Sequence, residues 1–148
     1  MYLSSLLPIN APAKLVSTPV VLLLATNSVR AGFPSPADDY ACKRIDLNDI
    51  LVTHPQATFM IRVAGDSMRE EGIEDGDVLV VNRAIKPRHG HVVVAVLDGE
   101  FTVKKLYQRA GRMKLRAANP TYPDIIPSDG QTLEVWGVVT SCIKQFRI

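Results

Sequence analysis

Short apolar runs rich in β-branched and aromatic residues punctuate the chain from Phe59 onward, each closed off by a turn signal. They read as strands over Phe59 to Val63, Val78 to Asn82, His91 to Leu97, Glu100 to Tyr107, Arg112 to Ala117 and Leu133 to Ile143. Between them stand Asp75-Gly76, Lys86-Pro87, Asp98-Gly99, Asn119-Pro120 and Asp129-Gly130, dipeptides that favour tight turns. This spacing predicts an all-β domain beginning near Ile45. Asp98-Gly99, set between two β-branched runs, is the strongest local hairpin signal in the sequence.

Strand periodicity sorts the second arm of that hairpin. Successive side chains alternate faces, so Thr102, Lys104 and Leu106 share one face and Phe101, Val103 and Lys105 the other. A lysine among apolar strands is a candidate base, because burial disfavours its charged form. Starting from an ordinary pKa of about 10.4, it needs a depression of about three units, worth about 4 kcal/mol, to act near neutral pH. Thr102 is placed to hold the Lys104 amine by a hydrogen bond, and Lys105 has no such neighbour.

Gly65-Asp66-Ser67-Met68 supplies a hydroxyl for that base to activate. Ser67-Met68-Arg69-Glu70 also fits the S-x-x-E capping box of a short helix that Gly72 would end. The two readings are compatible, since amides left free at a helix start can also stabilise an oxyanion. The Asp66 and Ser67 amides are the candidates for that hole.

Gly65-Asp66-Ser67-Met68, Gly72-Ile73, Asp75-Gly76-Asp77 and Gly99-Glu100-Phe101-Thr102-Val103-Lys104-Lys105-Leu106 together resemble the self-cleaving peptidase domain shared by LexA and UmuD. The interval of 37 residues from Ser67 to Lys104 matches the dyad spacing of that family. Upstream, Ala31-Gly32-Phe33-Pro34-Ser35-Pro36-Ala37-Asp38-Asp39-Tyr40 resembles the cleavage region of the UmuD branch, which acts in SOS mutagenesis. The fold implied is a LexA/signal-peptidase-like β-rich domain preceded by an extended N-terminal arm. The resemblance further implies Ser67 as nucleophile, Lys104 as general base, Thr102 as its orienting partner and Ala31-Gly32 as the scissile bond. It implies a homodimer, stimulation by a RecA filament on single-stranded DNA, and work with a UmuC-type polymerase in translesion synthesis. In that branch the arm also contacts the polymerase processivity clamp, although the arm residues here depart from its pattern.

The chemistry of the segment agrees with this assignment. Small residues on both sides of a bond let an extended peptide enter a narrow cleft, and glycine lets the backbone approach closely. Val29 stands where the family has an apolar side chain, and Phe33-Pro34-Ser35-Pro36 is expected to run extended as a stem. The expected organisation is a removable arm over 1–31, a linker over 32–44 and the peptidase and dimerisation domain over 45–148. Val20 to Ala25, an apolar run behind Thr18-Pro19, imitates part of an export signal but is too short for a membrane span, which needs about 20 residues. An arm whose apolar residues pack on a cytoplasmic domain is the reading adopted.

Composition narrows the alternatives. In 148 residues, 47% hydrophobic, there is material for one core, and a net charge of +2 commits the chain to neither nucleic acid nor membrane. Cys42 and Cys142 lack C-x-x-C spacing and read as reduced thiols, while His54, His89 and His91 are scattered and read as solvated. No cofactor or metal is called for. Arg112, Lys114 and Arg116 form a basic strand face, most simply a solvated one. The segment before Ala31 is too short and proline-punctuated for a helix-turn-helix, which argues against operator DNA binding. Two alternatives remain: a signal-peptidase-like protease acting in trans, which requires a membrane anchor, and a truncated LexA-like repressor fragment serving only to dimerise.

Overall fold

Asp98 and Gly99 both take positive φ, 49° and 81°, the signature of a type I′ hairpin. This turn organises the computed structural model, which describes residues 18–26, 28, 29, 31, 32 and 42–148. The turn joins β5 to β6 in a sheet of six strands, numbered here in chain order: β3 (Thr58–Arg62), β4 (Val78–Asn82), β5 (Val92–Leu97), β6 (Glu100–Arg109), β7 (Arg112–Arg116) and β8 (Leu133–Ile143). Their spatial order is β3-β4-β8-β5-β6-β7, with every pairing antiparallel. All six runs expected to be strands are strands, within a residue or two at their ends.

These strands belong to a unit spanning His54–Ile148, separate from a unit formed within Lys14–Thr53. The sheet has two apolar faces. Ile61, Val63, Met68, Leu79, Val81, Val94 and Val103 pack in one cluster, and Val93, Ala95, Leu106, Leu115 and Val138 in the other. β8 bulges against both neighbours, between Val80 and Val81 of β4 and between Val94 and Ala95 of β5. Gly137 lies in this strand, and a Cβ there would meet Val81 Cγ1 at 2.6 Å, so the crossing requires glycine.

A polar cluster around the buried Asp77 fastens the end of β8 to the loop before β4. Lys144 Nζ meets Asp77 Oδ2 at 2.6 Å and Glu74 Oε2 at 2.8 Å. Asp77 is nearly buried at 6% exposure. Its hydrogen bond from Lys144, helped by one from the Glu74 amide, holds its carboxyl below the usual range, and the Asp77 and Glu74 side chains raise the Lys144 pKa.

In the Lys14–Thr53 unit, β1 (Val21–Ala25) pairs antiparallel with β2 (Cys42–Asp46), in register from Val21 opposite Asp46 to Ala25 opposite Cys42. A short helix, α1 (Leu47–Leu51), follows, its Asn48 N–H capped by the Asp46 side chain. The apolar arm residues were expected to be packed away, yet Val21, Leu22, Leu23 and Leu24 are 45–69% exposed. A two-stranded ribbon has no second layer of its own to cover them. The Phe33 to Pro36 stem lies outside the described residues.

Candidate active site

Lys104 sits in β6 opposite Val93 and is 8% exposed. Its Nζ lies 2.9 Å from Ser67 Oγ, 3.0 Å from Thr102 Oγ1 and 3.0 Å from the Val103 carbonyl oxygen. None of these three oxygens carries a formal charge. Nothing among them offsets the desolvation of an ammonium, so burial lowers the Lys104 pKa. Lys105 turns the other way, and its Nζ meets Glu71 Oε1 at 2.6 Å near the surface.

The turn that carries Ser67 is held from several sides. Gly65 N donates to Asp75 Oδ1 at 2.8 Å, which ties the turn to the loop before β4. The Asp66 carbonyl accepts from Asn119 Nδ2 at 3.0 Å, and Asp66 Oδ1 accepts from the Tyr122 hydroxyl at 2.7 Å. That carboxylate raises the Tyr122 phenol pKa. Ala118 N donates to the Ser67 carbonyl at 2.8 Å, and Glu70 N donates to the Ala118 carbonyl at 2.7 Å.

The expected capping box does not form. Arg69–Glu71 makes a single 3-10 turn with Met68 at its N-cap and no side-chain cap, and Ser67 Oγ is taken up by Lys104 instead. So short a turn leaves no run of free helical amides for a capping box to serve. Gly72 does end the turn in the left-handed region, at φ 76°, with its N–H on the Arg69 carbonyl.

Gly65, Ser67 and Met68 face Phe101, Thr102 and Lys104 across a cleft of about 130 Å³. β7 pairs with β6 only from Lys105 outward. Among the described residues, Phe101 to Val103 therefore have no strand neighbour on the side away from β5. An open strand edge is where an extended peptide can add, and this one runs beside Ser67.

Other residues singled out in the sequence lie elsewhere. Ala31 and Gly32 belong to the Lys14–Thr53 unit and are exposed, and Gly32 has open space where a Cβ would stand. Both cysteines are free and exposed. The histidines are engaged locally: His54 Nδ1 with the Asn82 amide, His91 Nδ1 with the Arg88 N–H, and His89 edge-on to Tyr107. On the basic face, Lys114 and Arg116 pair with Asp124 and approach the Tyr107 ring. No group of three or more metal-ligating side chains occurs among the described residues, and no helix among them is long and apolar enough to cross a membrane.

A sequence profile described as Peptidase S24-like matches residues 22–140. The chain belongs to this peptidase family. The S24 match begins inside β1 and runs through the turn that carries Ser67, the β5–β6 hairpin and most of β8. Similar proteins include protein SamA of Salmonella typhimurium, 47% identical over 84% of this chain and 86% of its own length. Protein MucA of Escherichia coli is 46% identical over 81% of this chain and 82% of its own. A LexA repressor of Syntrophotalea carbinolica is 38% identical over 81% of this chain and 58% of its own. The β-rich architecture of this S24 chain is the one its resemblance implied. Asp75, Asn119 and Tyr122 were not singled out as site residues from the sequence. Asn119 showed only as half of a turn dipeptide.

Proposed function

We propose that the protein cuts its own chain between Ala31 and Gly32, with Ser67 as nucleophile and Lys104 as base. The observation that carries this reading is the 2.9 Å contact between Lys104 Nζ and Ser67 Oγ in a site where the amine is buried. Neutral Lys104 takes the Ser67 proton as Oγ attacks the Ala31 carbonyl carbon, while Thr102 Oγ1 orients the amine. The charge that develops on the Ala31 oxygen is stabilised by backbone amides of the nucleophile turn, with Asp66 and Ser67 the donors named from the sequence. Collapse of the tetrahedral species breaks the bond to Gly32 N, and the Lys104 ammonium gives its proton to the departing amine. Residues up to Ala31 then remain esterified to Ser67. A water deprotonated by Lys104 attacks the ester, releasing the Ala31 carboxylate and restoring the Ser67 hydroxyl. The open edge of β6 supports this reading, because it offers backbone groups to an extended segment beside Ser67.

A role in SOS mutagenesis is supported by the two UmuD-like sequence blocks and by membership of the S24 family. On this reading, residues 1–31 are the removable arm, residues 32–44 a linker and residues 45–148 the domain that persists. A RecA filament on single-stranded DNA stimulates the cut, and the shortened chain dimerises and joins a UmuC-type polymerase in the cytoplasm. Intact mass spectrometry of the full chain, with and without RecA on single-stranded DNA, tests it. The expected product begins at Gly32 and is absent from Ser67→Ala. A different N-terminus, or cutting that persists in Ser67→Ala, overturns it.

A further inference from the structure

We propose that Asn119 is a positioning residue for oxyanion stabilisation, aiming the Ser67 N–H through its hold on the Asp66 carbonyl; this rests on the reading of Ser67 as nucleophile given above. A trans peptide is planar, with its carbonyl and N–H on opposite sides, and the chain has no cis peptide bond among its described residues. Whatever fixes the Asp66 oxygen therefore fixes the direction of the Ser67 N–H. That oxygen accepts from Arg69 N at 3.2 Å and, at the shorter 3.0 Å, from Nδ2 of Asn119, the buried side chain of the two holds, at 3% exposure.

The orientation of the Asn119 amide is itself determined. Its Oδ1 accepts from Thr121 N at 3.1 Å and from Thr121 Oγ1 at 2.9 Å, so the nitrogen is the end that faces Asp66. Pro120 disfavours helical backbone at Asn119 and pre-sets its approach. The neighbouring residue repeats the device, since Ala118 N holds the Ser67 carbonyl at 2.8 Å and thereby aims the Met68 N–H. Ser67 and Met68 both line the cleft, and among the described residues neither amide donates to an acceptor. A buried side chain satisfied at both ends thus holds one of two adjacent amides ready for an anionic oxygen.

The test is the rate of self-cutting of the full chain against pH, without RecA, for Asn119→Ala and Asn119→Asp, with thermal unfolding run in parallel. Asn119→Asp matches the volume and keeps the acceptor for Thr121, so it decides the matter if the alanine variant does not fold. Loss of one oxyanion donor costs about 10²–10³ in rate, and misorienting one should cost more than tenfold. The expected result is a plateau lowered by more than tenfold in both variants, with the midpoint of the pH rise unmoved in Asn119→Ala, which adds no charge near Lys104. A wild-type plateau in either variant overturns the proposal. So does a lowered rate with a displaced midpoint in Asn119→Ala, which would show that the Ser67–Lys104 pair itself had been disturbed. If the unsubstituted chain does not cut, or Ser67→Ala does, the reading of the whole site fails. An inert Ser67→Ala beside active Asn119 variants removes the Asn119 role alone.

Discussion

Lys104 and Lys105 are neighbours in β6, yet one amine is enclosed by three uncharged oxygens and the other meets Glu71 at the surface. Burial lowers the pKa of the Lys104 amine, so its neutral form accumulates as pH rises. Self-cutting should accelerate about tenfold per pH unit and level off at the folded pKa, below the ordinary lysine value of about 10.4. Lys104→Ala should abolish the rise and Lys105→Ala should keep it. Thr102→Val should slow cutting less than loss of Lys104. A pH-independent rate, measured by gel shift, would place the base elsewhere.

The same depression sets a stability relation. Between the folded pKa of Lys104 and about 10.4 the unfolded chain binds more protons, so folding stability rises with pH in that window. Below it the buried ammonium costs stability throughout. Lys104→Met should remove that cost and raise Tm by about 2–4 °C while leaving no cutting. A lower Tm by calorimetry would contradict the idea that desolvation dominates at this position.

Asp77 and Lys144 work in the opposite sense. The folded pKa of Asp77 is depressed, so its contribution is complete above its unfolded pKa of about 3.9 and disappears as pH falls through the lower folded value. That of Lys144 is raised, so its contribution is complete below about 10.4 and fades only in strong alkali. Lys144→Met leaves a nearly buried carboxylate without its cation and should lower stability at pH 7. The loss should shrink below pH 4, where Asp77 also protonates. Urea unfolding at the two pH values reads both numbers.

Gly32→Glu should block self-cutting and leave Tm unchanged. The Cβ position at Gly32 is open in this structure, so the substitution has nothing to clash with until the segment lies in the cleft. Normal processing of this variant would count against Ala31-Gly32 as the bond.

Ala110 has φ 52° and is followed by Gly111 at φ 72°, so β6 and β7 are joined by a second turn of the I′ kind with a β-carbon in the left-handed region. Ala110→Gly or Ala110→Asn should relieve about 1 kcal/mol, seen as an increase in Tm.

That turn also shows where sequence reasoning stops. Asp98-Gly99 was legible because both residues are known formers of the turn they make, whereas Ala110 is not, and only the geometry of strands already paired forces its backbone over. The facing of Thr102 and Lys104 followed from a two-residue period, and so the triad of oxygens around the amine could be anticipated in part. The ribbon of Val21–Ala25 with Cys42–Asp46 could not, since it depends on a pairing across a long loop that no local pattern encodes. Asn119 was equally hidden, because a buried amide and an exposed turn asparagine are the same letter.

The ribbon changes what opening the Ala31-Gly32 bond would mean. That bond lies in the loop between β1 and β2, so hydrolysis would leave β1 on one chain and β2 on another. Five cross-strand pairings that begin as a tethered hairpin become a complex of two molecules. A lone two-stranded ladder is marginal in water, and loss of the tether removes the effective concentration that held it. Dilution would then drive the two pieces apart without any change in the His54–Ile148 unit. What stays behind is Cys42–Asp46 with its hydrogen-bonding edge uncovered, a strand looking for a new neighbour.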